Sequence, residues 1–330
     1  MLYFCWFWSR VIRLAVYTIR SRKKETRRAD ALTRQLEARF SGRFQPATSR
    51  KIAVSYGIYN PMICDSFARL DGRTTTAEEK RRYMLYFVCS SLFDDFTDYG
   101  LITPEELEEI SFHRDRYLAE SFDEKVFLYA HEELWKVVEQ KDAYDRVTRE
   151  LFEAQRQSRL QAGGRLADDA LFNVTSAKGG NSVLLCRYYL QREASPREEA
   201  CWYQIGVLIQ LTNDLFDIHK DLKEGFSTPA NRMRNAYEFE RYFTGQIMEM
   251  KRRIAALPVS RRRRQDFSLS MAGIYAFGLI ALRQLRRIQG TAEHLPDLST
   301  LSRKDLVIDM EKPANLARWF RYSYRYAALG

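Results

Sequence analysis

The 330-residue chain reads as an all-α protein. Three observations predict this. Apolar residues recur at spacings of three and four through 81–99, 125–139, 146–161, 200–218, 236–256 and 267–288, the period of a helix that buries one face. Helix-start chemistry stands before several helical stretches: Thr76 before Ala-Glu-Glu, Thr103 before Pro104-Glu105-Glu106, and Ser195-Pro196-Arg197-Glu198. Each pairs an oxygen-bearing cap with acid in the first turn. Sustained period-two alternation between turn dipeptides, the mark of strands, is absent.

Short polar linkers such as 72–76 and 227–231 join the helical segments, and no internal repeat is visible. The economical organisation is one helical bundle over 45–330, preceded by an amphipathic, basic extension over 1–44. Apolar residues make up 45% of the chain, enough for a packed globular core. The net charge of +10 concentrates in 20–28, 251–253 and 261–264. Such runs usually form solvated helix faces, and no zinc-finger spacing or RNA-binding aromatic motif accompanies them, so nucleic acid is not an expected partner. The five cysteines are odd in number, irregularly spaced and without CxxC, which points to a reducing, cytoplasmic setting and no structural zinc. His131 opens His-Glu-Glu-Leu-Trp, which lacks the second histidine of a zinc-protease helix. Residues 1–28 are apolar but interrupted by Arg10 and Arg13, a poor spanning segment without a signal-peptide cleavage pattern. Two readings stand for them: a helix lying on an anionic membrane surface as a peripheral contact, or a helix packed on the domain's own flank.

Two acidic motifs carry the chemistry. Residues 91–100 read Ser-Leu-Phe-Asp-Asp-Phe-Thr-Asp-Tyr-Gly, and on a helix Asp94 and Asp98 share a face with Asp95 to one side. They end an apolar segment, 83–93, and carboxylates entering a core need a cation; hard oxygen ligands suit Mg²⁺. In the second, 209–221, Asn213, Asp217 and Asp221 fall at i, i+4 and i+8, one continuous stripe of amide and carboxylate oxygens. Lys220 flanks the last carboxylate, where it can reach a bound phosphate. Read without a metal, both motifs are polar helix faces turned to solvent.

The pair resembles the two metal motifs of class I terpene synthases, an aspartate-rich DDxx(D/E) and an (N/D)Dxx(S/T)xxx(E/D) with lysine before the final acid. Asn213, Asp214, Lys220 and Asp221 match the second motif position by position, and Asp217 departs from it where the family has Ser or Thr. Gln210-Leu211-Thr212 is also similar to the flank of this motif in head-to-head synthases such as squalene and phytoene synthases. The resemblance spans approximately residues 50–326. It implies the class I isoprenoid synthase-type bundle around a central active-site cavity, and a cluster of three Mg²⁺ ions bridged by diphosphate. It also implies a lyase that breaks the carbon–oxygen bond of a prenyl diphosphate, with a C15 or C20 chain as the expected substrate.

Further residues follow from that resemblance. Lys178-Gly179-Gly180-Asn181 places two glycines inside a helical pattern, where each costs about 1 kcal/mol relative to alanine. In the family a broken helix at this stage lines the cavity, and Lys178 is the candidate diphosphate ligand. A close glycine-mediated helix contact is the alternative for the same residues. Arg165, followed by Asp168, resembles a diphosphate-sensing arginine with its linker acid, and Arg321-Tyr322 resembles the Arg-Tyr pair that caps the diphosphate. Phe87, Ser90, Ser91 and Phe93 near the first motif, and Gly206, Ile209 and Gln210 before the second, are the candidate pocket lining. The alternative on the same fold is a prenyltransferase or a head-to-head synthase. Chain elongation is disfavoured, because no arginine pair follows Asp98 and no GGKR segment occurs. Oligomeric state is not legible.

Overall fold

The structure is a computed structural model and describes residues 2–164 and 166–329. Among the described residues it is all-helical, with no strand and a single isolated bridge between Ala162 and Phe226. The chain divides into two compact units, Met1–Lys141 with Tyr188–Arg192, and Asp142–Arg187 with Glu193–Gly330.

The first unit holds α1 (Leu2–Phe40), α2 (Pro46–Tyr59), the short α3 (Asp65–Ala68), α4 (Ala77–Asp98), α5 (Pro104–Phe112) and α6 (Phe122–Val137). Three helix starts follow from side-chain oxygens. Thr76 and Thr103 each form a reciprocal capping box, with Glu79 and Glu106, and Ser121 accepts from the Glu124 amide. The run 60–64 widens into a π-helical turn, and the chain leaves the following 3-10 turn through Gly72 at φ +84°. Ile52, Tyr56, Phe67, Tyr83, Leu92 and Phe96 are all buried in this unit. So is Glu25, whose carboxylate accepts from Tyr56 at 2.7 Å, Arg28 at 2.8 Å and Lys80 at 2.9 Å. Those bonds replace the water it loses and hold the acid below its ordinary range against the opposing effect of burial. The helix α1, set apart as an extension by its composition, therefore packs within this unit through Phe7, Val11, Ala29, Leu32 and Leu36.

The second unit holds α7 (Lys141–Ser158), α8 (Asp168–Leu185), α9 (Pro196–Glu224), α10 (Ala236–Ala255), α11 (Arg261–Gln289), the short α12 (Arg303–Leu306) and α13 (Pro313–Ala327). Ser195 caps α9 by accepting from the Glu198 amide at 3.3 Å, and Gly225 ends the helix in the left-handed conformation. Among the described residues α11 is the only helix long and apolar enough to cross a membrane, and 78% of its apolar window is buried. It packs against α9, α10 and α13. Part of the basic charge has a local purpose: Arg197 and Arg264 donate to the last carbonyls of α10, at Ala256 and Ala255, which have no partner within their own helix.

In this unit α8 and α9 cross closely. A Cβ at Gly206 would lie 2.2 Å from the Gly179 carbonyl oxygen, and one at Gly179 would lie 2.7 Å from the Gly206 carbonyl. Backbone meets backbone there, so no side-chain rotation relieves the clash. The helix α8 runs unbroken through both glycines. The family-type break expected at 178–181 is therefore absent, and the glycines instead make a tight helix crossing. Gly206→Ala should lower stability by about 1–3 kcal/mol, the range for overpacking a tight site. Gly245 stands exposed on α10 with nothing near its would-be Cβ, so Gly245→Ala should raise stability by about 0.5–1 kcal/mol. Denaturant melts of the two variants check the pair, and equal effects would contradict the crossing.

Candidate metal and diphosphate site

Within α9 the second motif forms the expected stripe. Asn213 and Asp217 are exposed, Asp221 is half-buried, and Asp214 is buried beside them. The crossing with α8 explains why an acid sits inside: Gln210, pressed over Gly179, donates through its Nε2 to Asp214 Oδ1 at 2.8 Å. The other oxygen, Asp214 Oδ2, is buried with no hydrogen-bond partner. A buried carboxylate with one unsatisfied oxygen costs free energy unless a cation reaches it or a proton does.

The electrostatics of the stripe say the same. Burial pushes the Asp214 carboxyl up to about 7, with the Gln210 hydrogen bond and Lys178 opposing and Asp221 and Asp217 adding. Burial and the neighbouring Asp217 charge push Asp221 up to about 6, with Lys220 and Lys178 opposing. Asp217 is open to solvent, yet surrounding protein still raises its carboxyl, with Lys220 opposing and Glu224 adding. Lys178 thus acts from α8 on the stripe, and Lys220 acts from α9 itself while reaching Glu224 at 4.0 Å. Three carboxylates and an amide oxygen thus line this stretch of α9, and two lysines only partly offset their charge.

The first motif, in the other unit, is arranged differently. Asp94 is half-buried and already paired with Lys51 Nζ at 2.7 Å. Asp95 is buried and accepts from the Thr48 hydroxyl, with Lys51 at 3.9 Å. Asp98 is exposed at the end of α4. The motif therefore has an internal cation, supplied by α2. Asp123 on α6 faces the same cluster: burial first, then Asp95 and Glu124, raise its carboxyl, and its Oδ1 is buried with no hydrogen-bond partner. Among the described residues no group of three or more His, Cys, Asp or Glu stands in a ready-made metal geometry.

The remaining expected residues scatter. Phe87 is buried among the rings of Tyr56, Tyr59 and Tyr86, Ser91 is buried, and Ser90 and Phe93 are half-buried. Gly179, Gly180 and Gly206 are filled by the helix crossing, with the Tyr203 ring against Gly180 and Gln210 against Gly179. Ile209 is half-buried beside it. Asn181 is buried with Oδ1 unpartnered, but it lines a shallow groove of about 470 Å³ with Arg146, Glu150, Tyr203 and Arg253. Ten residues of α9, about 15 Å of helix, separate Tyr203 from Asn213, so the structure does not bring Asn181 to the acidic stripe. On α13 Arg321 is exposed and Tyr322 half-buried. Among the described residues neither bonds to the α9 acids, and α13 instead seats Trp319 on the Gly273 carbonyl at 2.8 Å.

Arg165 lies outside the described residues. Its expected partner Asp168 pairs with Arg232 at 2.9 Å, and the loop before α8 is stitched to the loop after α9. Ser227 N–H donates to Gln161 O at 2.9 Å there, and Gly163 N–H donates to Gly225 O at 3.1 Å. Arg232, Lys51 and Asp123 are residues that sequence reasoning did not single out. Asp214 was matched to the second motif, but its burial and its unpartnered oxygen were not legible there.

No family model matches the sequence, and a comparison with curated proteins finds no match.

In the unfolded chain Asp214 and Asp221 lose their protons at about pH 4, and in the folded protein only near 7 and 6. Between those values the folded state binds more protons, so their contribution to stability is best at low pH and falls as pH rises. Asp214→Asn and Asp221→Asn should each flatten that fall. Mg²⁺ should raise the melting temperature of the unsubstituted protein more at about pH 7.5 than at about pH 5. Melts with and without Mg²⁺ check this, and an unchanged pH slope in both variants would remove the basis for a desolvated acidic site.

Proposed function

We propose that the chain is a Mg²⁺-dependent class I terpene synthase that ionises a linear prenyl diphosphate, C15 or C20, on the isoprenoid synthase type of all-α fold. One observation carries this reading: the α9 stripe of Asn213, Asp217 and Asp221 stands over a buried acid with an unsatisfied oxygen, and Lys178 lies within electrostatic reach on the neighbouring helix. Oxygen ligands for a hard cation beside a lysine are what a metal-bound diphosphate requires.

In this reading Asn213, Asp217 and Asp221 would hold metal on α9, and Asp94 and Asp98 are the carboxylates that the resemblance assigns to the first metal motif. The metal ions would spread the charge of the diphosphate and make it a better leaving group. Lys178 and Lys220 bind diphosphate oxygens directly and are better placed for the charge that develops as the carbon–oxygen bond breaks. The electron pair of that bond leaves with the diphosphate, and the allylic cation left behind closes or rearranges before losing a proton. Asp94 would hold metal only in place of Lys51, which pairs with this acid at 2.7 Å and orients it. Aromatic faces such as Phe87 attract a carbocation by about 0.5–2 kcal/mol each. Arg165, Arg321 and Tyr322 are the proposed cap on the diphosphate.

A prenyltransferase or head-to-head synthase on the same fold is the second reading. The Gln210–Asp214 hydrogen bond favours it to the extent that Gln210 belongs to the flank shared with squalene and phytoene synthases.

Incubation with C10, C15, C20 and C25 diphosphates and Mg²⁺, read by mass spectrometry, tests the proposal. One of them should yield diphosphate and an apolar terpene without isopentenyl diphosphate. A product with twice the carbons would select the head-to-head reading, and strict dependence on isopentenyl diphosphate would select elongation. Asn213→Ala should cut turnover by about a hundredfold or more while leaving the circular-dichroism spectrum unchanged. Near-normal turnover in that variant would remove the α9 metal assignment.

A further inference from the structure

The helix α1 has two apolar faces, and the first unit uses only one. Phe7, Val11, Ala29, Leu32 and Leu36 are buried. A second row, Phe4, Trp8, Ile12, Val16 and Ile19, advances in steps of four, four, four and three, which keeps it on one side of the helix. Within it Phe4 is 54% exposed, Ile12 54%, Val16 42% and Ile19 62%, while Trp8 is half-buried with Phe4 against its ring edge. Single exposed apolar residues are ordinary, but a row of this length on one helix face is not.

The charges around the row are of one sign. Arg13 stands beside it, and Arg20, Arg22, Lys23, Lys24 and Arg27 continue along the helix, all exposed. Through residue 28 the only acid in α1 is Glu25, which is buried and bonded to Tyr56, Lys80 and Arg28. The outer face therefore offers apolar side chains for about four turns and then uncompensated cations for two more. A second copy of the chain would bring the same cations against these, whereas anionic lipid complements both halves: acyl chains take the apolar row and headgroups take the basic turns.

We propose that the outer face of α1 docks the protein on an anionic membrane surface, lying in the interface with Phe4, Ile12, Val16 and Ile19 inserted and Arg20–Arg27 on the headgroups. This binding is independent of the reaction proposed above.

Co-sedimentation of the full chain with vesicles tests it. One set is phosphatidylcholine alone, and the other is equal parts phosphatidylcholine and phosphatidylglycerol. The protein should pellet with the mixed vesicles, weakly with the neutral ones, and less as salt rises. Ile12→Ser combined with Val16→Ser and Ile19→Ser should weaken binding by roughly tenfold or more, with an unchanged circular-dichroism spectrum because the replaced side chains are exposed. Lys23→Glu with Arg27→Glu should weaken binding to the mixed vesicles by a comparable factor and leave the neutral background unchanged. Failure of the unsubstituted chain to pellet, or equal pelleting by the triple variant, would overturn the proposal. So would a concentration-dependent dimer in light scattering that the triple variant disperses without any lipid binding. A catalytically silent protein that still pellets would leave the membrane face standing and count against the terpene synthase reading alone.

Discussion

The backbone contact between Gly179 and Gly206 is the constraint on which the second unit's chemistry depends. Two helices that approach this closely leave no room for side chains at the crossing, so the residues one turn away are forced against the partner helix. Gln210 is pressed over Gly179 and has its amide turned to Asp214, which fixes one carboxylate oxygen and buries the other. The same crossing holds Lys178 near enough to lower both the Asp214 and the Asp221 carboxyls. A wider crossing would admit water, satisfy Asp214 and dissolve the acidic strain that calls for a cation.

The two acidic motifs look alike as strings and differ as physical objects. In the first unit Lys51 supplies a full positive charge to Asp94 at 2.7 Å, so that acid already has a counter-charge. On α9 burial keeps Asp214 and Asp221 above the usual carboxylate range, and Lys178 and Lys220 only partly offset it. The two motifs thus differ in how their charge is offset, by a direct ion pair at Asp94 and only partly by Lys178 and Lys220 on α9.

The helices were legible because their causes are local. Thr76 and Thr103 announce capping boxes that the structure contains, and the apolar spacing of 200–218 and 267–288 corresponds to the buried faces of α9 and α11. The stripe of Asn213, Asp217 and Asp221 was legible for the same reason, since a spacing of four is a property of the helix alone. What was not legible depends on partners distant in sequence. Lys51 gives no hint of Asp94, nor Arg232 of Asp168, because an ion pair between helices leaves no periodic trace. The glycines at 179 and 180 carried two meanings, a break or a close contact, and only the position of Gly206 on the facing helix decides between them. Asn181 was grouped with them by adjacency, although a shift of one or two residues on a helix turns a side chain to another face.

The central claim is that α9 binds diphosphate through metal, and calorimetric titration of inorganic diphosphate measures that directly. With Mg²⁺ present, the unsubstituted protein should bind it, and without Mg²⁺ binding should vanish. Asp217→Asn combined with Asp221→Asn should abolish the Mg²⁺-dependent heat. Equal binding without Mg²⁺, or undiminished binding by the double variant, would contradict the account.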